Sequence, residues 1–323
     1  AEVFAVYEPL VKGGSPHPTA LCASTNLSEI LKVEIVKDIQ SYLHETVSGN
    51  SALSDAQLEA IALARRRNVV DKLAFVCGDA TGVGKTRILL GCVQNSRSSG
   101  NVNTRCLLIS VGNLFDDFVK DARAIGLKGK ICNGSKLNKK QDINVVEKSL
   151  FVSHDVVRTF GSDKLLKWLL NGKKKAAPGK EPLLVVDEAH RFGNKSKRGE
   201  QMQFLLNMAH AAGVHIVLAS ATIASTVPQL ELISSVTGLV RNPTNPDHRV
   251  VHFRSLAANV RRIGEAGLEC ISMQLRSSGG YIARSLSMAG CEFDMVVAPM
   301  GSVDMNRYTA CAKVWADLFA TGA

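Results

Sequence analysis

An α/β fold, with a mostly parallel central sheet and helices on both faces, is predicted by three features of this 323-residue sequence. First, apolar runs of strand length recur at Leu73–Cys77, Thr104–Val111, Pro182–Val186 and Val214–Ala219, and runs apolar at nearly every position fit strands buried on both faces. Second, helical apolar patterns separate them, the alternation that builds parallel sheets. Third, two of the runs end in polar motifs, Gly78-Asp-Ala-Thr-Gly-Val-Gly-Lys-Thr86 and Asp187-Glu-Ala-His190. Ligands of open α/β sheets bind at the carboxyl ends of strands.

Residues 1–50 predict an irregular arm and lead-in. Tyr7-Glu-Pro9 and Gly13-Gly-Ser-Pro-His-Pro18 place prolines and glycines too densely for a long helix. Ile30, Leu31, Val33, Ile35, Val36 and Ile39 leave strand and short helix both open. From Ala52 the pattern is helical, with Ser54 or Asp55 as cap and Leu58, Ile61 and Leu63 as the buried stripe. Gln57, in the first turn, has an amide donor and acceptor suited to an adenine edge, and reads equally as an exposed helical glutamine.

The next segment predicts phosphate binding. A strand at Leu73–Cys77 breaks into the glycine-rich turn Gly78–Gly84, followed by Lys85-Thr86 and the helical pattern of Ile88, Leu89 and Leu90, which is the order of a P-loop. Glycines at 82 and 84 let the backbone curl so that N–H groups point inward, and the helix start adds positive potential. Lys85 reaches the outer phosphates and the Thr86 hydroxyl ligates Mg²⁺. The expected ligands are ATP and Mg²⁺, contacted by Gln57, Thr81, Gly82, Val83, Gly84, Lys85, Thr86 and Arg87. The strict motif asks for glycine at 79, where this chain has Asp79. A glycine-rich surface turn ending in lysine is the alternative.

Beyond Thr104–Val111 a helix is expected to about Gly126, with Asn113 as cap and Gly126 as stop. Lys128–Lys140 reads as a basic loop, residues 148–153 as a strand, His154–Leu170 as helical with Trp168 packed inside, and Asn171–Lys180 as a second basic loop. The apolar strand before Asp187 and Glu188 sets both carboxylates at the edge of the sheet. Asp187 suits Mg²⁺ held through water, and Glu188 suits orienting and deprotonating an attacking water. His190 joins them as a catalytic residue. Ser220 and Thr222, ending the Val214 run, are expected to couple that corner to a second module. Residues 51–245 form the expected ATP-binding lobe, and 246–323 an extension of it or a small subdomain.

Composition bounds the class. Hydrophobic residues make up 46% of the chain, enough for a sizeable core. No apolar run reaches the ~18–20 residues of a membrane helix and no signal peptide is apparent, so a soluble, intracellular protein is expected. Eight scattered cysteines without a C-x-x-C pair predict reduced, mostly buried thiols. The net charge of +10 favours a polyanionic partner such as DNA or RNA, through clusters at Arg65–Arg67, Lys128–Lys140, Lys173–Lys175, Lys195–Arg198 and Arg261-Arg262. The chain begins at Ala1 and stops within the helical pattern Asp304–Thr321, as a piece of a longer protein would.

Gly84-Lys-Thr86, Asp187-Glu-Ala-His190 and Ser220-Ala-Thr222, in this order, resemble motifs I, II and III of superfamily 2 helicases of DEAH type. The wording is closer still to the Strawberry Notch family: Gly14-Ser-Pro-His-Pro-Thr-Ala20, Leu53-Ser-Asp-Ala-Gln-Leu-Glu-Ala-Ile61, Gly78–Lys85, Ile109-Ser-Val-Gly-Asn-Leu-Phe-Asp-Asp117 and Gly280-Tyr-Ile-Ala-Arg-Ser-Leu-Ser287 all read like it. Asp79 is what that family carries there. Thr86 and Ala189 depart from its common Gly and Cys. The resemblance implies the N-terminal RecA-like lobe of an ATP-hydrolysing helicase acting on nucleic acid or chromatin, with nuclear, transcription-linked roles in eukaryotic members. It also implies a second RecA-like lobe supplying an arginine finger. None is apparent in this chain, where Arg241, Arg261, Arg262 and Arg284 stay open, so the isolated lobe should hydrolyse ATP weakly. A nucleotide-switched binding module without helicase activity is the competing reading.

Overall fold

Strand-length apolar runs become the interior of the protein. The structure, a computed structural model, describes residues 5–98, 104–136, 143, 146, 148–192, 196–221, 227–239, 246–288 and 301–321. Its strands are Ala5–Val6 (β1), Leu21–Ala23 (β2), Phe75–Cys77 (β3), Cys106–Ser110 (β4), Ile131–Asn133 (β5), Ser149–Ser153 (β6), Leu183–Val186 (β7), His215–Ala219 (β8), Tyr281–Ile282 (β9) and Ser285–Leu286 (β10). Seven of them form one sheet in the order β5-β6-β4-β7-β8-β3-β9, and every pairing in it is parallel. All residues of β3, β4, β6, β7 and β8 are buried, as a sheet covered on both faces requires.

The pleat divides the strand residues between two apolar layers. Phe75, Cys77, Leu108 and Val185 pack with Ile61, Leu89 and Phe118 from the helices Asp55–Arg66, Lys85–Ser98 and Phe115–Ala124. Val76, Leu107, Ile109 and Val186 pack with Trp168, Leu205 and Ile233 from Ser162–Leu169, Lys197–Ala211 and Val227–Thr237. This is an α/β fold, a parallel sheet between two layers of helices.

Local differences have local causes. The arm is not wholly irregular: β1 and β10 flank β2 as an antiparallel three-stranded sheet. The open stretch after residue 27 is helical, at Leu27–Ile30 and Val33–Asp38. Asn113 does not cap its helix, because a 3-10 turn at Gly112–Leu114 precedes Phe115. Gly161, at φ 78°, splits the 154–170 helical stretch in two. The first basic loop contains the edge strand β5. Arg65–Arg67 is internal wiring and not a docking patch. Arg66 pairs with Asp38 and Asp71, and the buried Arg67 donates to Asp71 and to the Thr237 carbonyl. Of the seven described cysteines, Cys77, Cys92 and Cys106 are buried, whereas Cys270 is exposed.

The chain divides into two compact units, Ala1–Ser287 and Met288–Ala323. The stretch 246–287 belongs to the first unit, in which β9 pairs with β3 and β10 with β2. In the second unit the described residues form the helix Ser302–Thr321. No described helix is long and apolar enough to cross a membrane.

Candidate nucleotide-binding site

Seven strands running the same way send the turns after β3, β4, β7 and β8 out of one edge of the sheet. Gly82 and Gly84 have φ of 95° and 89°, a region open to glycine and costly for other residues. Lys85 begins the following helix, and its Nζ donates to the Asp79 carbonyl at 2.9 Å. Thr81 and Gly82 are exposed, while Gly84, Lys85 and Thr86 are half-buried. Val83 turns its side chain wholly into the apolar layer, leaving its backbone to the turn.

Two residues expected at the nucleotide are engaged elsewhere. Gln57 is buried beneath the turn: its Oε1 accepts the Ser54 N–H at 3.0 Å and its Nε2 donates to the Val83 carbonyl at 3.0 Å. Serine at the N-cap with glutamine three residues on makes a reciprocal capping box. Gln57 thus braces the P-loop, with both ends of its amide already engaged. Arg87 donates from Nε to Asp121 at 3.1 Å and from Nη1 to the Ala52 carbonyl at 3.2 Å, tying its helix to its neighbours. Beside the turn opens a cleft of about 340 Å³ lined by Ser15, His17, Thr19, Gln57, Gly84 and Leu286, among others.

The acidic corner sits two strands away. Asp187 N–H donates to the Ile109 carbonyl at 2.8 Å, and Ser110 Oγ donates to Asp187 Oδ2 at 2.7 Å. Burial pushes the Asp187 carboxyl up, against the Ser110 hydrogen bond; Glu188 adds to the rise and the Lys85 ammonium opposes it. Lysine and aspartate are therefore within each other's field. Glu188 has φ 50°, a left-handed conformation that costs a non-glycine residue about 1 kcal/mol or more and collects at functional sites. His190 Nδ1 lies 3.2 Å from Glu188 Oε2 and 2.9 Å from Ser220 Oγ. Ser220 N–H in turn donates to the Cys77 carbonyl at 2.9 Å, where β3 enters the P-loop. One chain of contacts thus joins Glu188, His190, Ser220 and the P-loop strand. Thr222 and Arg241 lie outside the described residues.

Sequence reasoning missed two contributors and left a third open only as an arginine finger. Ser110 ends β4 with its hydroxyl on Asp187. His154, after β6, is buried edge-on against Phe192 with Nε2 2.9 Å from the Asp187 carbonyl, and burial pushes its pKa down to about 4. It is neutral there, a donor holding the Asp187–Glu188 peptide. A polar residue ending a buried strand was the available signal for both. Arg284 is the third: it is buried and ion-paired with Asp79, which removes it from the possible arginine fingers.

A sequence profile described as "P-loop containing NTP hydrolase pore-1" matches residues 16–310. The chain belongs to this family. Like other members of a P-loop family, it carries its glycine-rich turn between a buried strand and a helix. It is 28% identical to mouse (Mus musculus) strawberry notch homolog 2 and 26% identical to FORGETTER 1 of Arabidopsis thaliana, over 98% of this chain in both cases. The resemblance to Strawberry Notch proteins therefore runs along nearly the whole chain, which spans 23% and 25% of those relatives' lengths. Among solved structures, the Sulfolobus solfataricus SWI2/SNF2 ATPase core in complex with dsDNA aligns with a TM-score of 0.49 at 15% identity, over 71% of this chain and 44% of that one.

Proposed function

We propose that this chain is the ATP-binding lobe of a Strawberry Notch-like helicase or translocase acting on nucleic acid. The carrying observation is the convergence, on one edge of one parallel sheet, of a left-handed glycine turn ending in Lys85 with the Asp187-Glu188 corner. Lys85 and the turn's N–H groups bind the triphosphate. Asp187 and Thr86 fit a Mg²⁺ ion: a buried carboxylate with one oxygen on Ser110 calls for a cation. When bound, that ion neutralises phosphate charge. Glu188 orients and deprotonates the attacking water, and His190 carries its position to Ser220. The 340 Å³ cleft holds the base, with the Ser15–Thr19 turn as its outer wall.

Arg261 and Arg262 are exposed on their helix, and Arg284 is sequestered. The resemblance to Strawberry Notch proteins, which are about four times longer than this chain, supports a second lobe as the source of the cation that stabilises charge on the transferred phosphoryl group. Titration of ATP against wild type and Lys85→Ala tests the site, with an expected loss of affinity of about a hundredfold. Equal binding by both proteins refutes it. The positive charge supports a nucleic-acid ligand, to which binding should weaken steeply with salt. Chromatin or transcription proteins are further partners on this reading, with a nuclear location in a eukaryote.

A further inference from the structure

We propose that Arg284 is a positioning residue of the nucleotide site, fixing the entry of the P-loop through Asp79. The inference rests on the nucleotide reading above. Asp79 and Arg284 stand 205 positions apart and meet through three bonds: Arg284 Nε to Oδ1 at 3.0 Å, Nη2 to Oδ2 at 2.5 Å, and the Arg284 backbone N–H to Oδ1 at 2.9 Å. The backbone closes around the pair. Gly78 N–H donates to the Ile282 carbonyl at 2.6 Å, and Ala80 N–H to the Arg284 carbonyl at 2.7 Å. A Cβ at Gly78 would fall on the ring of Tyr281, so the two segments could not approach with any other residue there.

The far side of the guanidinium is equally occupied. Nη1 donates to the Ala56 carbonyl at 2.5 Å and lies 3.5 Å from Glu59 Oε2, while the Tyr7 ring sits 5.2 Å from the guanidinium carbon. Glu59 also takes the Tyr7 hydroxyl and, at 2.8 Å, the Leu10 N–H. Asp79, Glu59 and Arg284 are buried to 2% exposure or less.

Net stability does not account for such a pair, since apolar residues of similar volume serve a core as well or better. Geometry does. The Asp79 carbonyl is the atom to which Lys85 Nζ donates, so the pair sets the acceptor that holds the phosphate-binding lysine in place. At 79 the strict motif uses a glycine that leaves the turn free to close. Here a bidentate ion pair closes it instead, from a segment that follows all three motifs.

The experiment titrates ATP and inorganic tripolyphosphate against the whole chain as wild type, Lys85→Ala, Arg284→Lys and Asp79→Asn, with thermal unfolding and amide hydrogen exchange alongside. Lysine keeps the charge and loses the fork; asparagine keeps the shape and loses the charge. Both variants should unfold cooperatively, bind both ligands about tenfold more weakly, and exchange the amides of residues 80–84 faster than wild type while the β4 and β7 amides keep their protection. Wild-type affinity and wild-type exchange in both variants, with binding lost in Lys85→Ala, overturn the positioning role alone. Undiminished binding in all three variants overturns the nucleotide reading beneath it.

Discussion

At Gly84 two demands fall on one residue: its φ of 89° excludes most side chains, and a Cβ there would fall on Gln57 Nε2. Gly84→Ala should therefore destabilise the protein by about 2 kcal/mol, combining left-handed strain with displacement of the brace. Removing the brace as well, in Gly84→Ala with Gln57→Ala, relieves the collision and leaves the φ cost. A double-mutant cycle by urea denaturation should give a coupling of about 1 kcal/mol, and additivity of the two changes would remove Gln57 from the P-loop's support. Lys85, Asp187 and Glu188 were legible as residue types in a recognisable order. Gln57 was legible as an adenine-reading amide or as an exposed helical glutamine, and not as a brace. Its partner, the Val83 carbonyl, is 26 positions away, and nothing in a linear spacing reveals that bond.

Among the elements, the long central strands could be read because burial on both faces leaves an unbroken apolar run. β5, β9 and β10, of three, two and two residues, carry no such run, and only their pairing partners make them strands. Strand ends also hold two buried histidines with a predictable pH response. His154 follows β6 and His215 begins β8, and burial pushes both pKa values down from 6.5 to about 4. Arg191 and Arg198 depress His154 further while Asp155 opposes, and Arg65 and Lys72 depress His215 while Glu181 opposes. The folded state then binds fewer protons than the unfolded chain between about pH 6.5 and 4. Their contribution is complete above that window and is lost as pH falls through it, by at most roughly 3 kcal/mol per histidine. The Asp187 carboxyl, pushed upward by burial, acts in the opposite sense. Urea unfolding at pH 7.5 and pH 5 should show the loss, and His154→Gln, which keeps a donor for the Asp187 carbonyl, should halve it. A pH-independent midpoint across that interval would mean that neither ring titrates with folding.

For the whole molecule, charge counted along the sequence misled where charge placed in the fold does not. Arg67 is buried and Arg65 and Arg66 are half-buried, whereas Lys173–Lys175 stays exposed on the loop entering β7, at the edge opposite the P-loop. The two ends of the first compact unit meet in a second sheet. Prolines and glycines near residue 15 said correctly that no long helix forms there, and could not say that β2 would pair with β10, more than 260 positions on. That pairing encloses Glu59, whose carboxylate takes the Tyr7 hydroxyl on one side and faces Arg284 on the other. Tyr7→Phe keeps the ring beneath the guanidinium and deletes one donor to a fully buried carboxylate. Leaving a buried charged acceptor short of a partner costs about 1–3 kcal/mol. If the arm is part of the nucleotide lobe, Tyr7→Phe should lower the unfolding free energy by that amount in urea without changing the m-value, and the loss should shrink when Glu59→Gln removes the charge it served. If the arm only covers the surface, the hydroxyl is dispensable and Tyr7→Phe will unfold with the wild-type midpoint.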